Sequence, residues 1–276
     1  MEGFEKGGVL LPAAGMNLEA TLFCGQSFVW QKSEDGGFVG VAGGRAAAVY
    51  ERGENFLLLP LGAAPPGEGD LAFWHHYFAL ETNYPALLAR FAKSKKLAAC
   101  VAAAPGIRVL HQPFFETLVC FIISQNNHIP RITGIVQRLC RLFGKPLAGG
   151  LYAFPTPGVL AALTVEDLAP LRAGFRAKYI VDAAQKVAGG LVTRQKLEAL
   201  PTAEARALLA TILGVGTKVA DCVLLYSLGR NEVVPMDVWM KRAMAQLFPK
   251  SMPAAARGHE GIAQQFIFCW ARQNLH

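Results

Sequence analysis

Residues 213–222 read Leu-Gly-Val-Gly-Thr-Lys-Val-Ala-Asp-Cys, LGVGTKVADC, which puts a lysine just past a glycine-bracketed turn. The run before it, TAEARALLATIL, has helical periodicity, and so does the run that begins at Thr217. Gly214 and Gly216 flank Val215 and can take positive φ, so the stretch predicts helix, hairpin, helix. Such a turn points backbone N–H groups outward at a helix N-terminus, where they bind an anion such as a DNA phosphate. By itself a G-x-G is also what an ordinary helix connection looks like. Lys218 sharpens the choice. It sits in the first turn of its helix, where the dipole is positive and disfavours an ammonium, and that favours a neutral, nucleophilic amine.

Nineteen residues further on, VPMDVW (234–239) places Asp237 just after Pro235-Met236, at a natural N-cap for the helix DVWMKRAMAQLF. Taken alone, Asp237 reads as a helix cap. Taken with Lys218, it supplies a carboxylate that phosphate binding does not need and that costs affinity near DNA.

The rest of the chain sets the frame. Its 276 residues are 53% hydrophobic and 17% charged with 17 Phe, which predicts a folded core and excludes a disordered chain. A formal charge of +7 tilts it toward polyanions. Six cysteines, Cys24, Cys100, Cys120, Cys140, Cys222 and Cys269, show no C-x-x-C spacing and read as reduced thiols of an intracellular protein. The opening MEGFEKGGVLLPAAG has no signal-like pattern and no stretch reaches membrane-spanning length, so a soluble protein that is not exported is expected.

From Met16 to about Leu59, short β-type runs (LEATLF, SFVWQ, GFVGVA, RAAAVYE, NFLLLPL) alternate with turn residues and predict an antiparallel meander. After AAPPGEGD the periodicity turns helical and stays so. PFFETLVCFIIS is apolar nearly all round and is expected to be a buried central helix. An α+β fold follows, with an N-terminal sheet domain over 1–108 and a helical domain over 109–276.

With both motifs in place, the chain resembles the helix-hairpin-helix DNA glycosylase superfamily, and within it the 8-oxoguanine DNA glycosylases. Six blocks carry the resemblance: GQSFVW (25–30), SQNNHIPRITGIVQRLCRLFG (124–144), GFRAKY (174–179), GVGTKVADC (214–222), VPMDV (234–238) and GIAQQFIF (261–268). The resemblance implies a TATA-binding-protein-like sheet lobe before an all-helical catalytic lobe. Its partner is then double-stranded DNA containing 8-oxoguanine, bound by a monomer, without membrane association, in the nucleoid or nucleus.

The implied reaction is bifunctional. Lys218 attacks C1′ of an extruded nucleotide, expels the base and forms a Schiff base that permits strand cleavage, while Asp237 stabilises the developing positive charge. Gly25, Cys222, Gln264 and Phe268 are implied to form the base pocket. In it a Gly25 backbone carbonyl senses N7, which is a donor in the lesion and an acceptor in guanine. Cys222 also reads as a small buried hydrophobe, and Phe268 as core. Asn126, Arg131, Phe175 and Arg176 match positions that fill the vacated stack and read the opposite cytosine; exposed arginines are otherwise solvated charges. Gly214 and Gly216 are implied to grip phosphate.

No cofactor is required and no side-chain metal site is implied, although hairpin carbonyls of such proteins can hold a monovalent cation, K+ or Na+. The four clustered cysteines of iron–sulfur relatives are absent, so no cluster is expected. Trp239, Ala271 and Phe175 depart from the frequent histidine, acidic residue and tyrosine and bear on fine substrate preference. Two other readings stay open: a glycosylase of this fold for a different oxidised base, and a non-catalytic DNA-binding module.

Overall fold

The structure, a computed structural model, describes residues 7–13, 15–62 and 67–275. Its N-terminal part is a five-stranded antiparallel sheet: β1 (Val9–Pro12), β2 (Trp30–Lys32), β3 (Phe38–Ala42), β4 (Arg45–Arg52) and β5 (Asn55–Pro60), in the order β1-β5-β4-β3-β2. The register pairs Trp30 with Gly40, Phe38 with Val49 and Val49 with Leu58. Strand β1 precedes the stretch expected to form the sheet and lies along β5. The linker's first four residues, 63–66, and the first six of the chain lie outside the described residues.

One expected strand is a helix. LEATLF forms α1 (Leu18–Phe23), because Asn17 caps it by accepting the Ala20 N–H at 2.7 Å and Glu19 stands at the positive end of its dipole. Leu18, Thr21 and Leu22 are then buried on one face, a 3–4 spacing that the six-residue window did not separate from β alternation.

The remaining chain is helical: α2 (Glu68–Tyr77), α3 (Tyr84–Phe91), α4 (Lys95–Ala103), α5 (Phe114–Ser124), α6 (Ile129–Phe143), α7 (Pro157–Ala161), α8 (Arg176–Ala188), α9 (Arg194–Ala199), α10 (Thr202–Leu209), α11 (Thr217–Tyr226), α12 (Val238–Leu247) and α13 (Glu260–Asn274). Within the stretch expected to be helical, Ser94 separates α3 from α4, and its hydroxyl caps α4. Helix α5 is the buried central element, with Leu118 to Ile123 all inaccessible or nearly so.

Two cores result. The smaller packs the sheet against Trp74, Tyr77, Phe78 and Leu110. The larger gathers the helices from Tyr84 onward and takes in Cys24 and Phe28 from the N-terminal part. The cores therefore divide near residue 80, ahead of 108, because α3 and α4 bury Leu87, Phe91, Leu97 and Cys100 in the helical core, and α4 packs on α13.

Between the cores, Glu116 of α5 accepts the Gly43 N–H at 2.9 Å. Burial pushes this carboxyl up to about 8 despite that bond. The folded chain thus prefers the protonated acid: its contribution is full below the ordinary value of 4.5 and is lost as pH rises through about 8. Glu116→Gln is expected to raise the melting temperature at about pH 8.5 and leave it nearly unchanged at about pH 4.5, with thermal melts across that range as the check.

Candidate active site

Helix α10 ends in the turn Ala210–Gly216, which α8 holds from outside. Asp182 accepts the Leu213 N–H at 2.6 Å and the Lys186 ammonium at 2.9 Å, and Lys186 also donates to Thr211 O at 2.5 Å. Inside the hairpin, buried Asp221 pairs with Arg206 at 2.6 Å and ties α11 to α10. Gly214 has φ +76°, and a Cβ there would lie 2.4 Å from the Tyr179 ring, so conformation and packing both require glycine. Gly216 differs from expectation: its φ is −96°, ordinary extended backbone, and it serves as N-cap of α11 with open space where a side chain would go.

That turn delivers Lys218 to the first turn of α11. Its Nζ donates to Ser124 Oγ at 3.1 Å and lies 5.0 Å from the Phe121 ring centroid. Ser124 in turn donates to Phe121 O, which leaves its oxygen lone pairs toward the lysine. Asp237 is the N-cap of α12, as its sequence position suggested; its Oδ1 accepts the Met240 N–H at 2.8 Å. One carboxylate oxygen is thus anchored and the other is available to a substrate.

Lys218 and Asp237 line one cavity together with Gly25, Phe121, Cys222, Tyr226, Pro235, Gln264, Gln265 and Phe268. Every residue expected in the base pocket is therefore on its wall. At about 40 Å³ it has room for a few waters rather than a purine, so a base enters only if the walls shift. A larger cavity of about 500 Å³ lies between Phe28, Val41 and α6, away from this chemistry.

Phe121, Ser124, Tyr226, Pro235 and Gln265 were not anticipated. Tyr226 was within reach, since Lys218, Cys222 and Tyr226 repeat every four residues on one helical face. Its ring stacks on Phe121 at 5.3 Å and its hydroxyl donates to Gln265 Oε1 at 2.7 Å. Gln265 Nε2 donates to Cys24 Sγ at 3.1 Å, so its amide is committed to structure, whereas Gln264 accepts only a long 3.4 Å bond from Tyr226. Burial, opposed by the Lys218 charge, pushes the Cys222 thiol up to about 11, so it stays protonated at neutral pH.

Gly25 has φ +91°, and a Cβ there would press on Ile129 Cδ1 at 3.2 Å and reach Phe268 at 3.8 Å. Its neighbour Gln26, also missed, is fully buried.

A second group forms at the exposed turn between α5 and α6. Asn126 holds φ +47° there, a strained conformation for a non-glycine residue. Arg176 is not an exposed charge but a buried buttress of this turn, donating to Asn126 O at 3.0 Å, to Gln125 O and to Ala173 O. Arg131 is exposed, bonded to Asn127 Oδ1 at 3.3 Å and to Arg172 O at 3.2 Å. Phe175, 49% exposed, lies under the Arg176 guanidinium at 4.4 Å. The turn follows directly on Ser124, the partner of Lys218.

With this geometry in view, comparison with known proteins is decisive. Residues 9–118 match the N-terminal domain of 8-oxoguanine DNA glycosylase, and residues 119–256 match the HhH-GPD superfamily of base excision DNA repair proteins. The chain belongs to the 8-oxoguanine DNA glycosylase family of N-glycosylase/DNA lyases.

An N-glycosylase/DNA lyase of Arabidopsis thaliana is 30% identical over 91% of this chain and 72% of its own. One of Saccharomyces cerevisiae is 37% identical over 50% of this chain, a match that spans only 40% of the yeast protein. The 8-oxoguanine glycosylase/lyase of Clostridium acetobutylicum, solved with double-stranded DNA containing cytosine opposite 8-oxoguanine, is 31% identical with a TM-score of 0.87 and covers 98% and 97% of the two chains.

Gly214→Ala is expected to destabilise the chain by about 2–4 kcal/mol, through positive φ and overlap with Tyr179. Gly216→Ala is expected to fold normally, and paired thermal melts of the two variants separate these outcomes.

Proposed function

We propose that this chain excises 8-oxoguanine opposite cytosine and then cleaves the strand, with Lys218 as nucleophile. The observation that carries this reading is that Lys218, Asp237 and the four expected base-pocket residues, drawn from distant parts of the chain, line one cavity. An amine at the end of buried α5, over Phe121 and beside a hydroxyl acceptor, is held where a sugar C1′ can be presented to it. The Lys218 nitrogen bonds to C1′ as the glycosidic bond breaks and its electron pair leaves with the base. The free oxygen of Asp237 faces the cationic sugar. Loss of a proton and ring opening give the Schiff base, from which β-elimination releases the 3′ phosphate.

Gln264 offers its amide to the base edge, Phe268 a face to stack on, and Gly25 its carbonyl to N7–H. Asn126 and Phe175 enter the vacated stack and Arg131 reads the opposite base, a reading supported by the exposure of Phe175 and Arg131. Arg176 retains one unused Nη1 hydrogen for the same purpose while it holds the Asn126 turn. The cytosine preference is supported by the DNA duplex carried by the Clostridium protein. A monovalent cation at the hairpin fits the donor set: Thr211 O and Ile212 O each keep a second lone pair beyond their bonds to Lys186 and the Val215 N–H. It would add positive charge toward a DNA phosphate. A monomer acting on DNA within the cell completes the proposal.

Borohydride trapping on duplexes with 8-oxoguanine opposite each of the four bases is expected to give a covalent adduct for the wild type, strongest opposite cytosine, and none for Lys218→Gln, which still binds. A bound lesion duplex without an adduct would overturn the lyase mechanism. Asp237→Asn keeps a good N-cap and is expected to melt like the wild type while excising the base at least about 100-fold more slowly in single-turnover assays.

A further inference from the structure

Away from the cavity, the C-terminal end of α2 carries His75 and His76, and the chain then reverses through Ala79, whose φ is +51°. The reversal brings Glu81 back against the helix end. The strap that enters the helical core lies alongside, because the His111 N–H donates to Tyr77 O at 3.0 Å. The result is three imidazoles around one carboxylate. His76 Nδ1 lies 3.0 Å and His111 Nδ1 3.4 Å from Glu81 Oε1, while His75 Nδ1 lies 3.7 Å from Oε2. One donor atom each from His76, Glu81 and His111 falls within 4.8 Å of the others.

A tetrahedral ion with ligands at 2.0–2.1 Å separates its donors by about 3.3–3.5 Å, close to the spacings present here. Hydrogen bonding alone explains the arrangement poorly. Two imidazole nitrogens are aimed at Glu81 Oε1, whose two lone pairs could take both, yet one of them, His111 Nδ1, is buried without a hydrogen bond.

We propose that His76, Glu81 and His111 form a site for a divalent transition ion of the zinc class, with a water as its fourth ligand. Two imidazoles with one carboxylate form a borderline donor set that favours Zn2+ over Mg2+ or Ca2+. The ion would join the end of α2 to the strap between the two cores. The neighbours of His111 on that strap hold the pocket wall: Leu110 N donates to Gln26 Oε1, and Gln112 N to Tyr226 O. The ion's role is thus structural, and it takes no part in base excision.

The test is titration of the tag-free, EDTA-treated full chain with Zn2+ against a chromophoric chelator, with Co2+ as the spectroscopic stand-in. One ion per chain, a tetrahedral Co2+ absorption and a melting temperature raised by about 5 °C at saturation are expected. His76→Ala and Glu81→Gln are expected to weaken binding at least tenfold. Both side chains are about half exposed, so these variants fold whether or not the buried His111 tolerates substitution. No binding at 100 µM Zn2+, or wild-type affinity in both variants, would overturn the proposal.

Discussion

Gln26 has no contact with solvent, and its side chain ties α1 to the strap at 108–110: Nε2 donates to Thr21 O and Arg108 O, and Oε1 accepts the Leu110 N–H. Its own carbonyl accepts Gln112 Nε2. Leaving any of these buried groups unpaired costs about 1–3 kcal/mol, and the partners belong to different parts of the chain, so the loop around Gly25 has a single low-energy position. The strap fixed by this amide reaches Tyr226 through Gln112, and Tyr226 in turn orders Gln265 and Phe121. The cavity wall is thus a continuous set of satisfied polar contacts resting on one glutamine.

Chemistry and scaffolding are divided between neighbours on the same elements. On α13, Gln265 binds inward to Cys24 and Tyr226 while Gln264 faces the cavity. At the turn between α5 and α6, Arg176 gives four of its five N–H groups to backbone carbonyls so that Asn126 can hold a strained conformation, and Arg131 is left at the surface. Two helix N-termini, those of α11 and α12, bring Lys218 and Asp237 to one cavity, although among the described residues no ion pair joins them.

Much of this could be read before the structure. The hairpin, Lys218, the cap at Asp237 and the i, i+4 pairs 218/222 and 264/268 follow from local rules of turn, cap and helical spacing. What escaped depends on contacts between distant segments. Gln26 and Gln265 look like any polar residue until their burial is known, and Arg176 looks like a surface charge until the carbonyls it holds are seen. LEATLF was misread because six residues are too few to separate the two periods. The division of the cores near residue 80 was hidden because α3 and α4 follow the sheet in sequence yet pack on α13, at the far end of the chain. The three histidines around Glu81 are 36 residues apart at their extremes, a spacing that matches no local metal motif.

The cavity draws Gly25 from the loop after α1 and Phe268 from α13, with Lys218 and Asp237 between. During synthesis the hairpin that bears Lys218 therefore leaves the ribosome before α13. A nascent chain can form that hairpin from local contacts, but the cavity has no closed wall until α13 docks on α4. The hairpin is thus an early product of folding and the cavity a late one, because its walls meet only through contacts of long sequence separation.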